Sequence, residues 1–260
     1  MAYSTLQYAA DDGVATITLN RPAKRNAISP EMIRDLLGAL DEAERGPARA
    51  VILTGAGTAF CAGMDLEALR NLSTQTQEQH VADAESMGKM FYRVYSFPKP
   101  LIAAVNGAAI AGGTGLATLA DFTLAVPEAT FGYTEARIGF LPAVVSVFLL
   151  RQVGEKIARE LLLTGRIVDA AEAHRLGLVT EIVAADKLLD AARELGRTLA
   201  ALSPTSLALT KRLILRWNEK EIQRDLAVAI HESAEIRRTD DFREGLSAFL
   251  EKRAPRWQGR

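Results

Sequence analysis

From Pro100 to Ala120 the chain carries no charged side chain. An uncharged run of that length is either buried inside a fold or crosses a bilayer. Here it is broken by Asn106 and by Gly107, Gly112, Gly113 and Gly115. That is too much glycine and too little bulk for a span. The stretch reads instead as a buried strand over Leu101 to Val105 (LIAAV), a tight turn, and a helix of small residues from Gly112 to Leu119.

Similar signals recur along the chain. Val14 to Leu19 (VATITL) alternates and is β-branched, a strand stopped by Asn20-Arg21-Pro22. Ser29-Pro30 offers an N-cap with proline at the first helical position, and Ile33, Leu36, Leu37 and Leu40 share one face of a helix from Pro30 to Arg45. Ala50 to Thr54 is a buried strand and Gly55 to Gly63 a loop. Helices follow from about Asp65 and over Gln79 to Tyr95, where Met87, Met90, Phe91 and Val94 form the apolar stripe. Asp121 to Val126 is another strand, and Ile157 to Leu163, Ala170 to Leu176 and Lys187 to Leu202 are helical. Strands separated by helices imply crossover connections and mainly parallel pairing, an α/β fold. Strand signals end near Ser203: Ser203-Pro204 opens a helix, and Glu219 to Arg237 and Phe242 to Lys252 read as two more. The expected organisation is a core over residues 1–202 and a helical region over 203–260.

Charge gives nucleic acid no general support as a partner. Lys and Arg number 31 against 32 Asp and Glu, so no global field recruits nucleic acid. Cys61 is the one cysteine, which forbids an intrachain disulfide and fits a reducing cytoplasm. Met1 to Ala10 has no basic segment followed by an apolar one, so no signal peptide is expected. His80, His174 and His231 are too scattered for a metal site.

Two stretches carry the chemistry. Ala59-Phe60-Cys61-Ala62-Gly63-Met64-Asp65 closes the loop after one buried strand, and Asn106 to Gly115 follows another. Each is a strand–turn–helix junction poor in side chains, where free N–H groups point outward and glycine lets a ligand approach the backbone. Two such donors on one oxygen would make an oxyanion hole. The same residues also suit close helix–sheet packing, and spacing alone does not choose between these readings. The G-x-G-x-x-G spacing of dinucleotide binding is absent.

The segment Ile102 to Gly107, then Ala111-Gly112-Gly113 and Ala120-Asp121, resembles the signature of the enoyl-CoA hydratase/isomerase (crotonase) family. So do Leu19-Asn20-Arg21-Pro22 with Arg25-Asn26-Ala27, Phe60 to Asp65, Leu162 to Gly165, Ala171 to Val179, and Phe242 to Gly245 with Ser247 to Phe249. The resemblance runs in order from about residue 5 to 255. It implies a ββα spiral core over 1–202 holding the acyl-CoA site, and a helical trimerisation region over 203–260. It implies coenzyme A thioesters as substrates, with coenzyme A part of the substrate and no separate cofactor. It places an oxyanion hole at the backbone N–H groups of Met64 and Gly112. The nucleotide end of coenzyme A would lie near Lys24, Arg25 and Ala27 and the loop of Ala62, Asp65 and Leu66. Lys252 from a neighbouring subunit's last helix is a candidate phosphate contact. The apolar faces Ile222, Leu226, Ile230 and Phe242, Leu246, Phe249 exceed what one short helical layer needs, which agrees with a homotrimer or a dimer of trimers.

The resemblance also directs attention to two acid–base positions. Two-glutamate hydratases of this family carry a first glutamate where this chain has Gly115, and a second where it has Glu135. Hydration divides naturally between two carboxyl groups, whereas moving a double bond needs one base that removes a proton at C2 and returns it at C4. Isomerisation is therefore favoured. Hydration of an enoyl-CoA or a methylglutaconyl-CoA-like thioester stands as the alternative, with Thr114 or Tyr133 as candidates to orient a water. Decarboxylation and a relative without turnover that binds acyl-CoA or RNA are further readings. Cys61 is expected to be structural, His80 solvated, and His174 a packing or surface residue. His231, on a helix that borders the acyl pocket in this family, is a candidate substrate contact. Met87, Met90, Phe91 and Tyr95 are either tunnel lining or plain core. Leu69, Arg70 and Leu72 are candidates to cap the acyl end, with Arg70 able to pair a substrate carboxylate.

Overall fold

The computed structural model describes residues 3–72 and 74–260. The chain opens with an antiparallel hairpin, β1 (Leu6–Asp11) and β2 (Val14–Leu19). Asp12 and Gly13 turn it at φ of 47° and 75°, as a two-residue hairpin turn with both φ positive requires. In α1 (Pro30–Arg45) the Ser29 side chain accepts from the Met32 N–H and Pro30 sits in the first turn. Ile33, Leu36 and Leu40 are buried, as their spacing demands.

Three successive turns then repeat one pattern: a strand for a large sheet, a short strand for a second sheet, and a helical segment. β3 (Ala50–Gly55) and β4 (Ala59–Cys61) lead to α2 (Leu66–Leu72) and α3 (Gln77–Tyr95). β5 (Leu101–Val105) and β6 (Ala108–Ile110) lead to α4 (Gly112–Thr118). β7 (Phe122–Ala125) and β8 (Thr130–Gly132) lead to a 3-10 turn, Glu135–Ile138, and α5 (Ala143–Thr164). After these come β9 (Ile167–Asp169), α6 (Ala170–Arg175), β10 (Glu181–Ile182), α7 (Leu188–Ala200), α8 (Pro204–Glu235) and α9 (Asp240–Glu251). The large sheet has the order β1-β2-β3-β5-β7-β10 and is parallel from β2 onward. The second has the order β4-β6-β8-β9 and is parallel across its first three strands. Each turn advances both sheets by one strand, which is the ββα spiral that the resemblance implies.

The uncharged run behaves as its chemistry requires: β5 is buried at every residue, and the stretch continues into β6 and α4. No helix among the described residues is long and apolar enough to cross a membrane. The second sheet is what the pattern reading missed. Three-residue strands such as β4, β6 and β8 are too short to show a period.

The C-terminal helices also differ from expectation. α8 is one continuous helix of 32 residues, with no break near Glu219. Ile222, Leu226 and Ala229 belong to the main core, and Phe242 and Leu246 form a smaller cluster with Leu69 and Leu72. Most of the apolar surface read as intermolecular is therefore used inside the protomer. The exposed apolar row on α8 is a different one: Leu209, Leu213, Ile214 and Trp217.

Candidate active site

Because β4, β6 and β8 are parallel neighbours, the chain leaves all three on the same edge, the edge where open α/β sheets commonly bind ligands. Met64 follows β4, Gly112 follows β6 and Glu135 follows β8. All three line a cavity of about 550 Å³. Among the described residues, neither backbone donor has a hydrogen-bond partner outside its own element. The Met64 N–H lies between the two bonds that tie this loop to Ile28, from Ile28 N to Gly63 O and from Asp65 N to Ile28 O. Gly112 opens α4, where N–H groups have no partner in their own helix.

Glycine is required where the two junctions meet. A Cβ on Gly113 would collide with the Cys61 carbonyl oxygen. Gly63 has φ of 87°, and a Cβ there would lie 3.0 Å from the Ile110 carbonyl oxygen and 3.2 Å from the Ala111 Cβ. Ala111, the N-cap of α4, is held at φ 51° and ψ −122°. Backbone strain of this kind is concentrated in proteins at sites where a group must be aimed. Cys61 is wholly buried and its thiol is pushed up to about 12 by burial, which makes it packing and not a nucleophile.

Glu135 starts the 3-10 turn and is 8% exposed. Among the described residues, its Oε2 has no hydrogen-bond partner. Burial pushes the carboxyl up to about 7. An unpartnered buried acid is costly as structure but matched to proton transfer near neutral pH. Among the described residues lining the cavity, Glu135 is the only acid.

The residues weighed as a second proton-handling group are otherwise engaged. At Gly115 a Cβ would lie 2.8 Å from Val145 Cγ1 and 2.9 Å from Phe91 Cε1, so core side chains fill that space. The Thr114 hydroxyl donates to the Ala109 carbonyl at 2.7 Å and accepts from the Gly132 N–H at 3.0 Å. Tyr133 is buried with its hydroxyl 3.4 Å from Thr118 Oγ1. Neither Thr114 nor Tyr133 lines the cavity.

Of the expected coenzyme A contacts, Lys24, Arg25, Ala27, Ala62 and Leu66 line the cavity together. Arg25 and Asn26 adopt positive φ. Two residues that the sequence reading gave no role hold their loop. Asn26 Nδ2 donates to the Ala56 and Ala59 carbonyls at 2.9 and 2.8 Å, and Arg21 Nη1 to the Ala27 carbonyl at 2.6 Å. Asp65 is not part of the lining. Its buried carboxylate pairs with Arg21 at 2.7 Å and Lys24 at 3.6 Å and accepts from the Glu67 N–H. Burial opposes its charge, but the Glu67 N–H, Arg21 and Lys24 outweigh that and hold its carboxyl below the usual range. It therefore organises the mouth from behind. Lys252 is exposed at the C-cap of α9 and does not line the cavity of its own chain.

The rest of the wall comes from Leu69, Ala84, Met87, Phe91, Phe140, Ser233, Arg237 and others. Met87 and Phe91 are lining, whereas Met90 and Tyr95 belong to the core. Arg70 and His231 are exposed and lie outside the lining. His231 sits on the right helix but the wrong face. His80 is buried, not solvated, with Nε2 2.8 Å from the Leu72 carbonyl. His174 is exposed, with Nδ1 2.9 Å from the Val179 carbonyl.

Comparison with known proteins bears on the family and the fold. The family model for enoyl-CoA hydratase/isomerase matches residues 9–260. A Thermus thermophilus protein bearing an enoyl-CoA hydratase name is 48% identical over 245 residues, covering 94% of this chain and 97% of that one. Enoyl-CoA hydratase EchA19 of Mycobacterium tuberculosis is 38% identical, covering 94% and 92%. The crystal structure of an enoyl-CoA hydratase/isomerase from Xanthobacter autotrophicus superposes with a TM-score of 0.89 at 33% identity, covering 96% and 97%.

Proposed function

The chain belongs to the enoyl-CoA hydratase/isomerase family, and from that premise we propose that it moves the double bond of an enoyl-CoA thioester between C3 and C2, with Glu135 as its one base. The observation that carries this reading is that Glu135 is the one carboxyl group among the described residues of the cavity wall, with Oε2 unpartnered and its pKa raised to about 7 by burial. The thioester oxygen accepts from the Met64 and Gly112 N–H groups, which stabilise the negative charge as it forms. Glu135 takes a proton from C2. The electron pair spreads onto the thioester oxygen and over the C3–C4 double bond, and the same carboxyl returns the proton at C4, leaving the double bond at C2–C3. Lys24 and Arg25 hold phosphates of coenzyme A at the mouth.

Hydration is the second reading, and the names of the relatives favour it. It must deliver a hydroxyl to C3 as well as a proton to C2, and among the described residues the cavity wall offers no second carboxyl group to share that work.

Glu135→Gln keeps the shape and removes the proton acceptor. Isomerase turnover is expected to fall by about 10²–10⁴-fold, with acyl-CoA affinity changed little. Full turnover in the variant would detach the chemistry from Glu135.

Assembly belongs to the same proposal. Leu209, Leu213, Ile214 and Trp217 leave an apolar row of α8 in solvent, more than a single chain needs to expose. A homotrimer or dimer of trimers covers it. Light scattering at micromolar concentration is expected to give three or six chains, and a stable monomer would contradict it.

A further inference from the structure

One charged side chain of the cavity wall serves neither the mouth nor the reacting end. Arg237 stands in the 3-10 turn Ile236–Arg238 between α8 and α9, with its side chain 1% exposed. It lines the cavity together with Ser233, one turn earlier on α8. Its guanidinium lies 5.4 Å from the centre of the Phe140 ring, another lining residue. The Asp83 carboxylate is 2.9 Å away and the His80 carbonyl oxygen 3.5 Å. Arg237 Nε nonetheless has no hydrogen-bond partner, and neither has Asp83 Oδ2. The pair is thus a charge contact without an aligned hydrogen bond. Arg237 is part of the lining and Asp83 is not, so the carboxylate stands outside the cavity wall.

A guanidinium keeps its charge in any protein environment, and burying it with donors unused is costly. Leu69, Ala84, Met87 and Phe140 make the neighbouring wall apolar, suited to the hydrocarbon of an acyl chain. A wholly apolar chain would displace water from Arg237 and return no acceptor. A carboxylate returns both an opposite charge and acceptor lone pairs, the strongest match to a guanidinium. Resting on the reading of this cavity as the acyl-CoA site, we propose that Arg237, with the Ser233 hydroxyl, is a recognition subsite for a carboxylate carried by the acyl chain. The preferred thioesters are then those of dicarboxylic acids, with Asp83 holding the guanidinium in place.

The test is calorimetric binding of saturated thioesters, succinyl- to suberyl-CoA against butyryl- to octanoyl-CoA, paired by chain length. These compounds do not react, so the result is independent of whether the enzyme isomerises or hydrates. At one chain length or more the dicarboxylic member is expected to bind about 10- to 100-fold tighter, the range for hydrogen bonds to a charged group. The double variant Asp83→Asn/Arg237→Met, which leaves no unpaired charge, is expected to erase that ratio. A structural ion pair would shift both affinities together and leave the ratio standing. Methyl-ended thioesters binding as tightly at every length overturn the subsite with the wild-type protein alone, as does a folded variant that keeps the ratio. If no thioester of either series binds, the acyl-CoA reading of the cavity falls first.

Discussion

The surroundings of Glu135 and of Gly115 are built in opposite ways. At Glu135 the end of β8 turns into a short 3-10 segment that leaves Oε2 without a partner inside apolar surroundings. At Gly115 the second turn of the spiral brings α4 against Phe91 and Val145, with no room for a Cβ unless they move. The first position keeps a proton acceptor ready at a cost in stability. The second lies directly behind two lining residues, Phe91 and Val145. A missing second carboxyl is therefore not a vacancy waiting for a side chain, because its space is occupied by the packing that holds α3, α4 and α5 together.

That contrast can be broken in two places. The larger expected effect is on pH dependence. Only ionised Glu135 accepts a proton, and burial raises its pKa to about 7, so the inactive neutral form dominates below that value. The kcat/KM for isomerisation is expected to fall tenfold per unit below pH 7, about a hundredfold by pH 5. A flat profile from pH 5 to 8 would remove Glu135 as the base. The smaller effect is on stability. Gly115→Glu forces a charged side chain against Phe91 and Val145. Overpacking alone is expected to cost about 1–3 kcal/mol, read as a melting temperature lowered by several degrees, with no gain in hydration. A folded variant that hydrates 2-enoyl-CoA faster than wild type would show that the space was available after all.

Legibility from sequence followed the same division. Segments with a period or a strong cap were readable: α1 behind Ser29-Pro30 and the wholly buried β5. The glycine-rich junctions were readable as stretches of bare backbone, and the family resemblance singled out Met64 and Gly112 within them. Glu135 was reachable through the family resemblance, since nothing in its local pattern distinguishes it from a surface carboxylate. The second sheet was not readable, because its strands are as short as two neighbouring turns allow. Arg237 was not readable either. Arg70 and His231 offered similar chemistry, but the face a helical side chain takes is decided by the partner it packs on. Asp65 shows the reverse error: its motif lies at the mouth, while its carboxylate is consumed by Arg21 and Lys24.

The most direct test uses the wild-type enzyme with 3-enoyl-CoA and 2-enoyl-CoA separately in heavy-oxygen water, with products identified by mass spectrometry. A single buried carboxyl group should interconvert the two enoyl thioesters rapidly and place little heavy oxygen in the product. Fast formation of labelled 3-hydroxyacyl-CoA from 2-enoyl-CoA, with no detectable isomerisation, would contradict the one-base reading and require a second group other than a carboxyl of the described cavity wall.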